Sequence, residues 1–192
     1  MSATPGAFAR VALIVLVAVI LQLSGFGPDR LFGGRPDLVP LVVAAVAIYA
    51  GSVAGAATGF GTGMLLDLAV GGTMGASSLV LSAVGYGVGR YREVRDPAHG
   101  LIPIPVGALA TLAWVTAFAA VSFMLDVGAS VSPLVFRDML LTIALNAVIA
   151  LPVFALCRRV LRPALLVDPL DLRRRRQPPR EAGPLGLRGL EI

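Results

Sequence analysis

Few residues of this chain have the chemistry for a reactive or binding site, and most of them stand alone. The one histidine is His99 and the one cysteine is Cys157. They leave too few ligands for a zinc site of the usual kind, and a lone thiol excludes an intramolecular disulfide. Asp67 is the one formal charge within the core apolar runs. Burying such a charge is costly, which makes it a functional candidate. Two roles stay open for it: a cap or helix-pairing group bonding the backbone of the Gly71-Gly72 turn, or a contact to a ligand, proton or partner. Asn146, in mid-segment before Pro152, is the other buried polar candidate, with interhelical hydrogen bonding as its expected duty. There is no G-x-S-x-G elbow, no second intramembrane Asp to pair with Asp67, and no phosphate-binding glycine loop followed by Lys. A proton or ion relay would string several ionisable groups along one path. The expectation is a non-enzymatic protein without metal or cofactor.

The most informative spacing belongs to glycine. Gly51, Gly55, Gly59, Gly63 and Asp67 recur at every fourth position. Four residues turn a helix by about 400°, so the row drifts by about 40° per step and forms a slanted ridge of nearly bare backbone. Such ridges are packing surfaces in membranes, where van der Waals contact between backbones replaces the hydrophobic drive available in water. Gly85 and Gly89 make a shorter version, with Tyr86 and Gly87 between them, and the two ridges are placed to face each other. Internal packing of one bundle is the plainer use of this surface, and a partner interface that also includes Phe60 and Tyr86 is the other.

The elements that carry these residues follow from composition. Of 192 residues, 57% are hydrophobic and 14% charged, and mean hydropathy is +0.86. Ordinary soluble domains are about 45–50% apolar and about 25% charged. The surplus is gathered into six runs: Phe8 to Phe26, Leu38 to Ala50, Ser52 to Val70, Met74 to Val88, Leu101 to Leu125 and Met139 to Cys157. An all-α integral membrane protein with about six transmembrane helices is expected, its membrane domain covering residues 1–160. No A-x-A-like site follows the first run, so it is expected to span rather than to be a cleaved signal. A single helix from Leu38 to Val70 would be about 50 Å long at ~1.5 Å per residue, against a hydrocarbon core of roughly 30 Å. A break is required, and Gly51-Ser52 is its expected place.

Charge sets the orientation. The net charge is +5 and all 16 basic residues are arginine. Arg90, Arg92 and Arg95 follow the fourth run and nine arginines follow the sixth, so both regions, together with Arg10 at the N-terminus, are expected on the cytoplasmic side. No basic stripe with interleaved aromatics suggests nucleic acid. Residues 161–192 are rich in Arg and Pro and read as a largely disordered cytoplasmic tail, with Pro163 among the residues expected to stop a long helix. The Arg173 to Arg176 run is a topology determinant first and a contact for anionic lipid second.

The ordered motifs resemble a known family. Arg35-Pro36-Asp37-Leu38 opens the second run, and Gly55-Ala56-Ala57-Thr58-Gly59-Phe60-Gly61-Thr62-Gly63-Met64-Leu65-Leu66-Asp67 forms the third. Gly72-Thr73-Met74-Gly75 and Gly85-Tyr86-Gly87-Val88-Gly89-Arg90 follow. Over about residues 10 to 160 the chain resembles the rod shape-determining MreD family of bacterial cell-wall elongation. The resemblance implies a non-enzymatic elongasome component acting with an MreC-like protein, RodA, a class B penicillin-binding protein and MreB. It gives Pro36, Asp37, Gly72 and Gly75 as motif turn residues. It also implies a fold similar to the S components of energy-coupling-factor transporters, which keeps a vitamin-binding S component open as the alternative.

Overall fold

The computed structural model of the chain describes residues 5–26, 34–71, 74–94, 103–124 and 133–165. The fold is all-helical: α1 Pro5–Leu21, α2 Leu38–Ala50, α3 Ser52–Val70, α4 Ala76–Val94, α5 Pro103–Met124 and α6 Pro133–Leu165. A π-helical turn, Gln22–Phe26, ends α1. Pro5, Pro40, Pro103, Pro105 and Pro133 all stand in the first turn of a helix, where a missing N–H costs no intrahelical bond. Three helices are long and apolar enough to cross a membrane, over Ser52–Val70, Pro103–Val121 and Phe136–Leu161, while Phe8–Ser24 and Leu38–Ala50 are shorter apolar helices.

Several helices run past the apolar segments that mark them, most of all at the ends of α4 and α6. α4 continues past Val88 to Val94 and carries Arg90, Arg92 and Glu93 in its last turns. α6 runs on through Pro163 to Leu165, with Leu161 buried. A proline two residues from a helix end removes one bond where the ladder is already finishing, and the helix survives it. Residues 166–192, which hold nearly all of the expected tail, and Gly72 lie outside the described residues.

The length argument resolves at Gly51, whose φ of 95° and ψ of 179° end α2 and start α3. Only glycine takes that conformation without strain. α2 has 13 residues, about 20 Å at ~1.5 Å per residue. Val39 to Ile48 are all buried, and α2 packs against each of the other five helices. Its apolar side chains point in every direction, the pattern of a helix surrounded by protein.

The terminal peptide groups of this helix, which have no intrahelical partner, are bonded by side chains of other helices. At its C-terminus, Arg92 Nη1 of α4 donates to the Tyr49 carbonyl at 2.8 Å. At its N-terminus the extended residues Arg35 to Asp37 are held on two sides. Asn146 of α6 accepts from the Asp37 N–H at 3.0 Å and donates back to the Asp37 carbonyl at 3.2 Å, with a further bond to Thr111 of α5 at 3.1 Å. From the π-helical turn, Gln22 donates to Asp37 Oδ1 at 2.8 Å and accepts from the Leu38 N–H at 2.8 Å. Thr142 accepts from the Arg35 N–H at 3.1 Å. One side-chain amide thus pairs the N–H and the carbonyl of one residue as a neighbouring strand would. Asn146→Leu would leave the Asp37 N–H unpaired, at ~1–3 kcal/mol, and remove the second bond to its carbonyl. Purified Asn146→Leu protein should therefore melt well below wild type in detergent, and an unchanged melting temperature would show that the clamp contributes nothing.

Candidate functional site

The chain turns back after α3 so that α3 and α4 run antiparallel, and their contact is made of backbone. A Cβ added at Gly59 would overlap the Leu81 carbonyl, one at Gly63 the Ser78 backbone, and one at Gly85 the Gly55 carbonyl. A Cβ at Gly55 would lie 2.5 Å from the Gly85 oxygen and 2.6 Å from the Ala47 side chain of α2, and one at Gly89 would overlap Ser52. No real Cβ tolerates such distances. The ridge is therefore consumed inside the bundle, with α4 on one side and α2 at its edge. Gly61 and Gly87 differ in kind, since a Cβ at either meets nothing within 4 Å.

Each end of this contact is closed by a carboxylate. Asp67, in the last turn of α3 and only 6% exposed, accepts from the Gly75 N–H at 2.8 Å and the Ser77 N–H at 3.3 Å. It thereby caps the start of α4. Gly75, at φ 95°, has the left-handed backbone that brings its N–H to Asp67. At the other end Glu93, in the last turn of α4, accepts from the Ser52 N–H at 3.0 Å and the Ser52 hydroxyl at 2.6 Å. Its second oxygen accepts from Arg90 at 3.0 Å. Each helix thus supplies the anion for the positive N-terminus of its partner, whose first N–H groups have no intrahelical acceptor.

The sequence-selected residues separate into groups. Gly51, Gly55, Gly59, Gly63, Asp67, Gly75, Gly85 and Gly89 belong to the α3–α4 contact and its turns. Pro36 and Asp37 lie apart from it, in the turn into α2. Phe60 and Tyr86 belong to neither and face outward, each about half exposed. Glu93 was missed, although its signal was present: it follows Gly85 and Gly89 at the same four-residue spacing by which Asp67 follows Gly59 and Gly63. Among the described residues no group of three His, Cys, Asp or Glu side chains could hold a metal ion.

Fold and site together define a helical membrane protein organised around a backbone-packed helical hairpin. The chain belongs to the rod shape-determining protein MreD family, whose family model matches residues 4–160. Neither the curated proteins nor the solved structures contain a match.

Two measurements check the hairpin. Gly59→Ala should destabilise the protein by about 1–3 kcal/mol or more, the cost of overpacking. Gly61→Ala, on the same helix but in open space, should be neutral or mildly stabilising because alanine favours helix by ~1 kcal/mol. Equal effects on thermal unfolding in detergent would refute the close contact. The second concerns charge: the Ser52 hydroxyl, then the Ser52 N–H, then Arg90 hold the Glu93 carboxyl at about 2, below its ordinary 4.5. A group with a lowered folded-state pKa stabilises fully above its unfolded value and loses that contribution as pH falls through the folded one. The melting-temperature gap between wild type and Glu93→Gln should be widest above about pH 4.5 and close toward pH 2. A gap that does not vary with pH would mean the ionised cap is unimportant.

Proposed function

We propose that this cell-shape protein is a non-enzymatic scaffold of the elongasome in the bacterial inner membrane, with six crossings and both termini cytoplasmic. In this reading it receives the transmembrane helix of an MreC-like protein on its outer surface. It holds that protein near RodA, a class B penicillin-binding protein and MreB. The observation that carries the reading is the internal use of the glycine ridge. A bundle whose closest helix contact is backbone on backbone, capped by carboxylates at both ends, is a rigid body and suits the role of a fixed platform.

The position of α2 fits the same reading. A 13-residue helix falls short of the roughly 17–25 residues of a lone span. It can complete a crossing because the backbone N–H groups of the Arg35 to Leu38 lead are paired by Thr142, Asn146 and Gln22. The ridge being filled, the partner's helix is left the outward surface, which carries Phe60, Met64, Leu68, Leu79 and Tyr86.

Affinity capture from gently solubilised membranes of the native host, with mass spectrometry against an unrelated six-span control, tests the proposal. Enrichment of an MreC-like protein and wall synthases is the expected result, and Gly59→Leu should lower that recovery by disrupting the hairpin. Enrichment of ATPase and membrane coupling subunits instead would overturn the scaffold and make the protein an S component.

A further inference from the structure

The outer surface holds a groove of ≈ 590 Å³ between α4 and α5, floored by Gly87 and walled by Val84, Val88, Leu109, Ala113 and Thr116. It is apolar along its length, since the Thr116 hydroxyl turns back to donate to the Leu112 carbonyl at 2.6 Å. Its polar end is the end where α4 finishes. Tyr91 lines the groove there, is 45% exposed, and its hydroxyl has no partner among the described residues. Arg90 follows Gly87 by three positions and Ala83 by seven, so it continues the same helical stripe one turn beyond the floor. The Arg90 side chain is 63% exposed and spends one nitrogen on Glu93, out of the five N–H donors a guanidinium carries.

An apolar channel that ends on a guanidinium and a phenol has the polarity gradient of an amphiphile with an anionic head. We propose that this groove is a phospholipid site: an acyl chain lies along Gly87 and Ala113, and the phosphate-bearing headgroup sits on Arg90 and Tyr91. The helix-pairing surface of the same molecule makes the contrast. Where α3 meets α4 the wall is bare glycine backbone already filled by the opposing helix, whereas this groove is open, mixes Ala83, Ala110 and Ala113 with Val84, Val88 and Leu109, and ends on polar groups. The apolar run and the polar groups at its end match the two parts of an amphiphile, which an apolar transmembrane helix does not. Basic groups between transmembrane helices are a recurring seat for anionic headgroups, each worth a severalfold gain in affinity. The inference is independent of the scaffold reading.

The test uses the full chain, purified and exchanged into detergent with equal phosphatidylglycerol and phosphatidylcholine of one chain length, with bound lipid read by native mass spectrometry. Wild type should retain the anionic lipid in excess, by about fivefold for one interfacial guanidinium. Arg90→Gln should bring the two lipids to parity, whereas Glu93→Gln, which breaks the same ion pair but keeps the cation, should preserve the excess. Gly87→Leu, with open space at its Cβ, should lower retention of both lipids without loss of fold. Equal retention by wild type, or no change in Arg90→Gln, would overturn the proposal. So would a Gly87→Leu protein that keeps its lipid but loses a co-purifying membrane protein, which would assign the groove to a partner helix.

Discussion

Contact between the backbones of α3 and α4 governs the arrangement of everything around it. In lipid, apolar side chains gain nothing by leaving one apolar surroundings for another, so helices associate through close packing and hydrogen bonds. Gly55, Gly59, Gly63, Gly85 and Gly89 remove the side chains that would hold the two helices apart. The two axes then approach closely enough for the last turn of each to reach the first turn of the other. The capping by Asp67 and Glu93 depends on that approach, because a carboxylate held a few ångströms further off could not bond the opposing N–H groups. Packing and electrostatics are therefore coupled in one hairpin.

The central helix solves a different problem. α2 is apolar on every side and enclosed by the other helices from Val39 to Ile48, so its terminal peptide groups find their partners in those helices. Gln22, Asn146 and Thr142 stand in for solvent at one end and Arg92 at the other. Three of these four come from helices other than α4, so α2 is tied to the whole bundle while the hairpin is tied to itself. The Pro36-Asp37 pair of the family motif has its physical use here: it starts a helix inside protein, with the peptide groups of Asp37 presented to Asn146.

Much of this was legible in the chain. The all-helical class followed from the apolar runs, and the break at Gly51 followed from comparing a helix length with the thickness of a bilayer. The glycine spacing marked α3 and α4 as helices built for close approach. Glu93 was not picked out because it lies beyond the apolar run, among arginines, where a carboxylate reads as an ordinary surface charge. α6 outruns its apolar segment, passing Cys157 and Pro163 to Leu165, because near a helix terminus a proline removes little.

By itself the sequence determined the periodicity, the positions where no side chain stands between backbones, and the family, because these are properties of local spacing and residue type. Only the tertiary structure decided which face the glycine ridge meets, which N-terminus Asp67 caps, and that Asn146 clamps the start of α2. Those pairings join residues from 8 to 109 positions apart. Nothing in local spacing encodes which helix lies beside which, since that is settled by the packing of all six together.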